Sequence, residues 1–240
     1  KNMDDIIAIA DGVMVARGDL GVEVPFKLLP HYQKQMIQKC YRAGKIVITA
    51  TQMLDSMQEN PRPTRAEVSD VANAIYDGTV GIMLSGESAA GKYPLESVTT
   101  MKEIAEASES DINHQEMFYR HNLNLGDDTP SVIANSAVKA SFQSNVKAII
   151  CVTYHGYTAF KISSYRPQCP IIAVCVDKKA CRQLNLAYNV SPVYAERKKT
   201  TDELFLYAIE KAEETGIVKK GDKVIITTGS AIGDCGTDTM

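Results

Sequence analysis

Short apolar runs alternate with longer stretches of helical periodicity along the whole chain, and few folds accommodate that order. Residues 12–17, Gly-Val-Met-Val-Ala-Arg, read as a buried strand that ends in a glycine-rich loop. A helix over Leu28–Ala43 follows, with Leu29, Tyr32, Met36 and Cys40 at helical spacing and Gly44 as its stop. Strands are expected at Lys45–Ala50 and Val80–Leu84, separated by a helix that Thr64 and Glu67 open as a capping box. Tyr93-Pro94 starts another helix, with Leu95, Val98, Met101 and Ala105 on one face. The second half repeats the pattern. Strands are predicted at Ala148–Val152, Ile171–Val176, near Pro192–Tyr194 and at Lys223–Thr228. Between them lie helices Ser131–Gln143, Ala159–Ser164, Lys178–Ala187 and Asp202–Thr215, the last with Thr200 and Glu203 fitting a capping box. Strands separated by helices cannot close as tight hairpins; they build parallel sheets covered by helices.

The polar stretch His121–Thr129 is the best boundary, dividing the chain into domains 1–120 and 121–240. With 45% hydrophobic and 23% charged residues the composition is that of an ordinary globular protein. A net charge of −3 gives no reason to expect a nucleic-acid or membrane partner. No apolar run approaches the ~20 residues a membrane span needs. The six cysteines include no Cys-x-x-Cys, and Cys151 and Cys175 sit in strand-like runs. They read as reduced core residues of a cytoplasmic protein. The chain opens on Lys1 without an initiator methionine or a leader, and residues 2–9 read as a helix running straight into a strand, so it is expected to start within a fold.

In parallel α/β folds, function gathers where strands end. Three such ends in the first domain carry chemistry. At Ala16-Arg17-Gly18-Asp19-Leu20-Gly21, two glycines allow close backbone approach to a ligand, and Asp19 offers a hard oxygen suited to magnesium. A glycine turn with a solvated aspartate explains the same residues. At Thr49-Ala50-Thr51-Gln52-Met53-Leu54, the Thr51 hydroxyl could bond a substrate or relay a proton, though threonine is also a common strand residue. Leu84-Ser85-Gly86-Glu87-Ser88 again joins glycine, hydroxyls and a carboxylate, as an ordinary helix-capping loop would. In the second domain, Thr153-Tyr154-His155-Gly156-Tyr157-Thr158 presents N–H groups, hydroxyls and a helix start to an anion, or is a plain strand-to-helix turn. His114 and His121 show no metal spacing.

Taken in order, these segments resemble pyruvate kinase. The resemblance rests on Val-Ala-Arg-Gly-Asp-Leu-Gly-Val-Glu-Val-Pro (15–25), Ala-Thr-Gln-Met-Leu (50–54), Pro-Arg-Pro-Thr-Arg-Ala-Glu (61–67), Ser-Asp-Val-Ala-Asn-Ala (69–74), Ile-Met-Leu-Ser-Gly-Glu (82–87) and Tyr-Pro-Leu-Glu (93–96). Tyr165-Arg166-Pro167 and Lys220-Gly221-Asp222 extend it into the second half. It implies an α/β protein: three βα units of a (β/α)8 barrel, then an α/β sandwich regulatory domain with a mostly parallel sheet. It also implies transfer of a phosphoryl group from phosphoenolpyruvate to ADP, with Mg2+ (or Mn2+) and K+ as cofactors. Gly18 and Asp19 would meet the substrate carboxylate, Asp19 would hold the magnesium, and Thr51 would stand near the enolate and its protonation path. A homo-oligomer, tetrameric in the family, would be the assembled form.

In the family, a lysine and a second magnesium-binding glutamate lie on the strand just before this segment. The potassium ligands, a phosphate-gripping arginine and a lid domain also lie upstream. The isolated chain is therefore expected to be inactive, and its open barrel edge to cause association, disorder of residues 1–15 or dependence on a companion polypeptide. The resemblance further places a phosphorylated allosteric effector on Thr153, Tyr154, His155, Gly156, Tyr157 and Thr158, with Gly233 in a loop 230–236 that closes over it. Tyr154 and Tyr157 stand where animal enzymes carry basic or polar residues, loop 230–236 has no arginine, and Phe205 falls about where a second-phosphate arginine would be. The effector expected is thus a monophosphate. The other class of reading is a non-catalytic effector-binding or assembly module.

Overall fold

The computed structural model describes residues 2–121, 126–198, 200–228 and 240. The chain divides into two compact units, Lys1–Ile112 and Asn113–Met240.

In the first unit the order is α1 (Met3–Ile9), β1 (Gly12–Ala16), α2 (Arg17–Glu23), α3 (Leu29–Arg42), β2 (Ile46–Ala50), α4 (Arg65–Asp77), β3 (Gly81–Met83), α5 (Gly86–Ala89) and α6 (Pro94–Ser110). The strands form one parallel sheet in the order β1-β2-β3. Strand alternation sets its two faces. Val15 and Val47 bury against Ile37 and Cys40 of α3, while Met14 points the other way and is half exposed. Thr64 and Glu67 do form the reciprocal capping box of α4, and Gly78 ends that helix at φ +103. Residues 2–15 hold the helix α1 and most of the strand β1. The predicted stripe on α6 is only partly buried. Met101 is inside, but Leu95 and Val98 are exposed, and Val98, Met101 and Ala105 line an open groove of about 470 Å³ beside Ile82 and Leu84.

Two segments of this unit depart from the sequence reading. The glycine-rich run after β1 is the helix α2 rather than a loop, and neither Gly18 nor Gly21 has a positive φ. Thr51 and Gln52, which carry Cβ atoms, take the left-handed region instead, at φ +69 and +52.

The second unit runs α7 (His114–His121), α8 (Thr129–Ser144), β4 (Ala148–Thr153), α9 (Tyr157–Ser164), β5 (Ile171–Cys175), α10 (Lys178–Gln183), β6 (Val190–Tyr194), α11 (Thr201–Glu214) and β7 (Val224–Thr227). Its parallel sheet has the order β6-β5-β4-β7. Both faces are covered, so β4 is buried along its whole length and apolar up to Thr153. Ile149 and Cys151 join a core with Ala134, Val138 and Ile162 from α8 and α9. Ala148, Ile150 and Val152 face Ala208 and Ala212 of α11. Ahead of the polar stretch 121–129 lies α7, whose Phe118 packs on Phe142 and Tyr165. Cys40, Cys151, Cys169, Cys175 and Cys181 are free thiols; burial pushes Cys151 up to about 12 and Cys40 to about 11.

Candidate active site and effector loop

Strand register aligns the chemistry. Ala16 pairs with Ala50, and Ala50 with Met83, so the three strands of the first sheet end at one edge. Gly18 and Asp19 follow β1, Thr51 follows β2, and Ser85 and Glu87 follow β3. The Gly18 N–H donates to Thr51 Oγ1 at 2.9 Å. The predicted pair is therefore in direct contact, and the Thr51 hydroxyl keeps its own proton for another acceptor. Asp19 stands exposed beside them in the first turn of α2.

What shapes this edge is a pair of buried charges. Arg17 lies almost wholly inside. Its Nε and Nη2 donate to the Thr51 carbonyl at 3.0 and 2.6 Å, and Nη2 also reaches the Gln52 carbonyl at 2.9 Å. Its Nη1 pairs with Asp70 of α4. Glu87 is 1% exposed; it accepts from the Leu54 N–H at 3.0 Å and from the Ser85 N–H at 2.8 Å. A third carboxylate, Glu67, accepts from the Ser56 N–H at 2.7 Å and from Ser56 Oγ at 2.6 Å. Burial raises its proton affinity, yet the bonds from Ser56 and Thr64 outweigh that and hold Glu67 below the usual carboxylate range. The sequence marked Glu87 only as a carboxylate at the third strand end and gave Arg17 and Asp70 no role. For Arg17 and Glu87 the available signal was a charge beside a glycine at the end of an apolar strand; Asp70, inside α4, had none.

Asp19 suits a hard divalent cation as one exposed oxygen ligand. Among the described residues, no group of three or more His, Cys, Asp or Glu side chains gathers to complete a metal site.

In the second unit Thr153, Cys175 and Tyr194 are in register. The loop 153–158 is tightly folded. The Gly156 N–H donates to Thr153 Oγ1 at 3.1 Å, and Gly156, at φ +82, precedes α9. Thr153 and Thr158 are buried, Tyr154 and Tyr157 partly exposed. The Tyr157 hydroxyl donates to Asp128 Oδ2 at 3.2 Å, with Lys161 above its ring. The cation unseen in the sequence is Arg197, whose Nη1 donates to the Tyr154 hydroxyl at 3.0 Å. His155 faces solvent near Asp177, the N-cap of α10. Gly233 and the loop 230–236 lie outside the described residues. His114 is buried against Tyr188 with Nδ1 unpartnered among the described residues. Burial lowers its proton affinity, as does the Arg166 charge, against a bond to the Arg166 backbone.

Comparison with known proteins agrees with these two units. Residues 1–98 match the family model for the pyruvate kinase barrel domain, and residues 131–240 that for the pyruvate kinase alpha/beta domain. The pyruvate kinase of Bacillus licheniformis is 49% identical over 239 residues, covering 100% of this chain and 41% of its own length. That of Clostridium acetobutylicum is 48% identical, again over 100% of this chain and 50% of its own. The crystal structure of a pyruvate kinase from Cryptosporidium parvum superposes with a TM-score of 0.90 at 40% identity, over 95% of this chain and 47% of that one. The chain thus spans half or less of the length of these relatives.

Proposed function

The chain belongs to the pyruvate kinase family, and from that premise we propose that its first unit forms part of the substrate-facing wall for phosphoryl transfer from phosphoenolpyruvate to ADP. The observation that supports this reading is the Gly18–Thr51 contact at 2.9 Å, on an edge that also carries Asp19. Gly18 and Asp19 would meet the substrate carboxylate, with Asp19 also serving as one ligand of Mg2+ (or Mn2+). Magnesium bound there supplies charge neutralisation for the substrate oxygens. With Thr51 already accepting from Gly18, its rotatable hydroxyl proton would be left for the enolate oxygen or the methylene carbon. The K+ that the family also uses would take its ligands from upstream of this segment. One magnesium ligand on an open three-stranded sheet is too little to hold a transition state. The 240-residue chain alone is expected to make no ATP from phosphoenolpyruvate and ADP in a luciferase assay. Fused behind the missing N-terminal portion of the Bacillus licheniformis enzyme, it should turn over, and Asp19→Ala should lower kcat by about 10²–10³-fold. ATP from the isolated chain, or a folded but silent chimaera, would overturn the proposal.

The second unit, on the same premise, is a regulatory module whose loop 153–158 takes the phosphate of an effector at the start of α9. Asp128 beside Tyr157 and the single arginine at Tyr154 favour one phosphate over two. Calorimetry on the chain is expected to show binding of ribose 5-phosphate, glucose 6-phosphate or AMP, and weaker binding of fructose 1,6-bisphosphate. The opposite order would sink the monophosphate assignment. In the assembled enzyme we place both units in a cytoplasmic homo-oligomer.

A further inference from the structure

Thr51 and Gln52 are held in a conformation that side chains with a Cβ adopt at a cost of roughly 1–2 kcal/mol each, at φ +69 and +52. Something must hold them there. Arg17 takes the carbonyls of Thr51 and Gln52 from the β1 side. Glu87 takes the Leu54 N–H from the β3 side, and with its other oxygen the Ser85 N–H. The strained turn is thereby gripped at its entry by a buried cation and at its exit by a buried anion, each from a flanking strand end. We propose that Glu87 is a positioning residue for Thr51: its carboxylate locks the β2 and β3 ends together, and this fixes the Thr51 hydroxyl against the Gly18 N–H.

The chemistry fits a carboxylate and little else. Both partners are backbone donors, so two acceptor oxygens on one planar group are required. A glutamine offers one acceptor and must turn its NH2 toward the second N–H, leaving a buried donor unsatisfied. The group has little solvent to turn to instead, being 1% exposed.

The proposal rests on reading Thr51 as the substrate-facing hydroxyl, and the test separates the two. Amide hydrogen exchange on the native chain is the first measurement. If Glu87 clamps the turn, Gly18, Leu54 and Ser85 open together, with protection factors within about threefold of one another. Independent opening, with Gly18 differing from Leu54 by more than tenfold, would sink the proposal with no variant needed. In Glu87→Gln, Gly18 exchange should rise by at least about tenfold and its amide proton should move upfield as the bond to Thr51 loosens. Faster exchange at Leu54 with Gly18 unchanged would reduce Glu87 to a local packing role. In the chimaera, Glu87→Gln should lower kcat by about 10–100-fold with KM for phosphoenolpyruvate within about threefold, the pattern of a misplaced reacting group. A raised KM at constant kcat would overturn it. A chimaera silent with Glu87 intact would remove the functional reading, while the Gly18 signature still decides the positioning.

Discussion

Replacing Arg17 with alanine is expected to destabilise the first unit by about 2–4 kcal/mol, a large share of what such a unit has. The change removes three hydrogen bonds to the carbonyls of Thr51 and Gln52. It also leaves Asp70 without its ion pair. Asp70 remains 36% exposed, so water takes up part of that loss. The loss at the carbonyls is the larger one: they sit in a left-handed turn, and Arg17 is the side chain that bonds them from the β1 side. Arg17→Lys should recover only part of the stability. An ammonium can keep the charge beside Asp70, but it lacks the planar fork that reaches two carbonyls and a carboxylate together. Hydrogen-exchange mass spectrometry reads this without a global unfolding model, which a two-unit chain would complicate. Peptides within 2–112 should lose protection and those within 126–228 should not. Loss spread over both units, or full rescue by lysine, would contradict the assignment.

How much of this was legible in the sequence differs between fold and site. The described strands were visible as short β-branched or apolar runs, most plainly β4 and β5, which are buried along their whole length. Helix α2 was hidden by its glycines, which read as a turn although the chain winds them into a helix with the Gly18 N–H bonded to Thr51. Helix α7 was hidden by polarity, since Phe118 is its main apolar anchor. At the site, Gly18, Asp19 and Thr51 stood out because their types and order resemble a known family. Arg17 and Glu87 lay in the same motifs, but Arg17 drew no role and Glu87 was weighed only as the carboxylate of a helix-capping loop. Nothing local marks a strand-end charge as buried. The partner of Arg17 lies 53 residues away and that of Glu87 33 residues away. Only strand register brings them together. The same holds for Arg197, 43 residues from the tyrosine it meets.

Leu184→Ala is expected to cost the second unit about 2–5 kcal/mol and to loosen the loop 153–158 from beneath. Leu184 is fully buried in the core shared by Ile162, Cys175 and Ala180. Its side chain also lies directly under the loop: a Cβ built on Gly156 would sit 3.4 Å from Leu184 Cγ and 3.5 Å from both methyl carbons. Truncation therefore opens a cavity at the point where Gly156 crosses at φ +82 and its N–H meets Thr153. Gly156→Ala carries one cost, the left-handed backbone, which a Cβ disfavours by about 1–2 kcal/mol and which no repacking removes. The added methyl would meet Leu184 at ordinary van der Waals distance, so it adds contact rather than crowding. Truncating the leucine removes that contact, so the double variant should be less stable than the sum of the two single losses predicts, by about 0.5 kcal/mol or more. Strict additivity in urea unfolding monitored on the second unit would show that the loop and the core beneath it are not coupled. A coupling of the expected sign would make Leu184 the route by which core packing sets the geometry of the loop proposed to take phosphate.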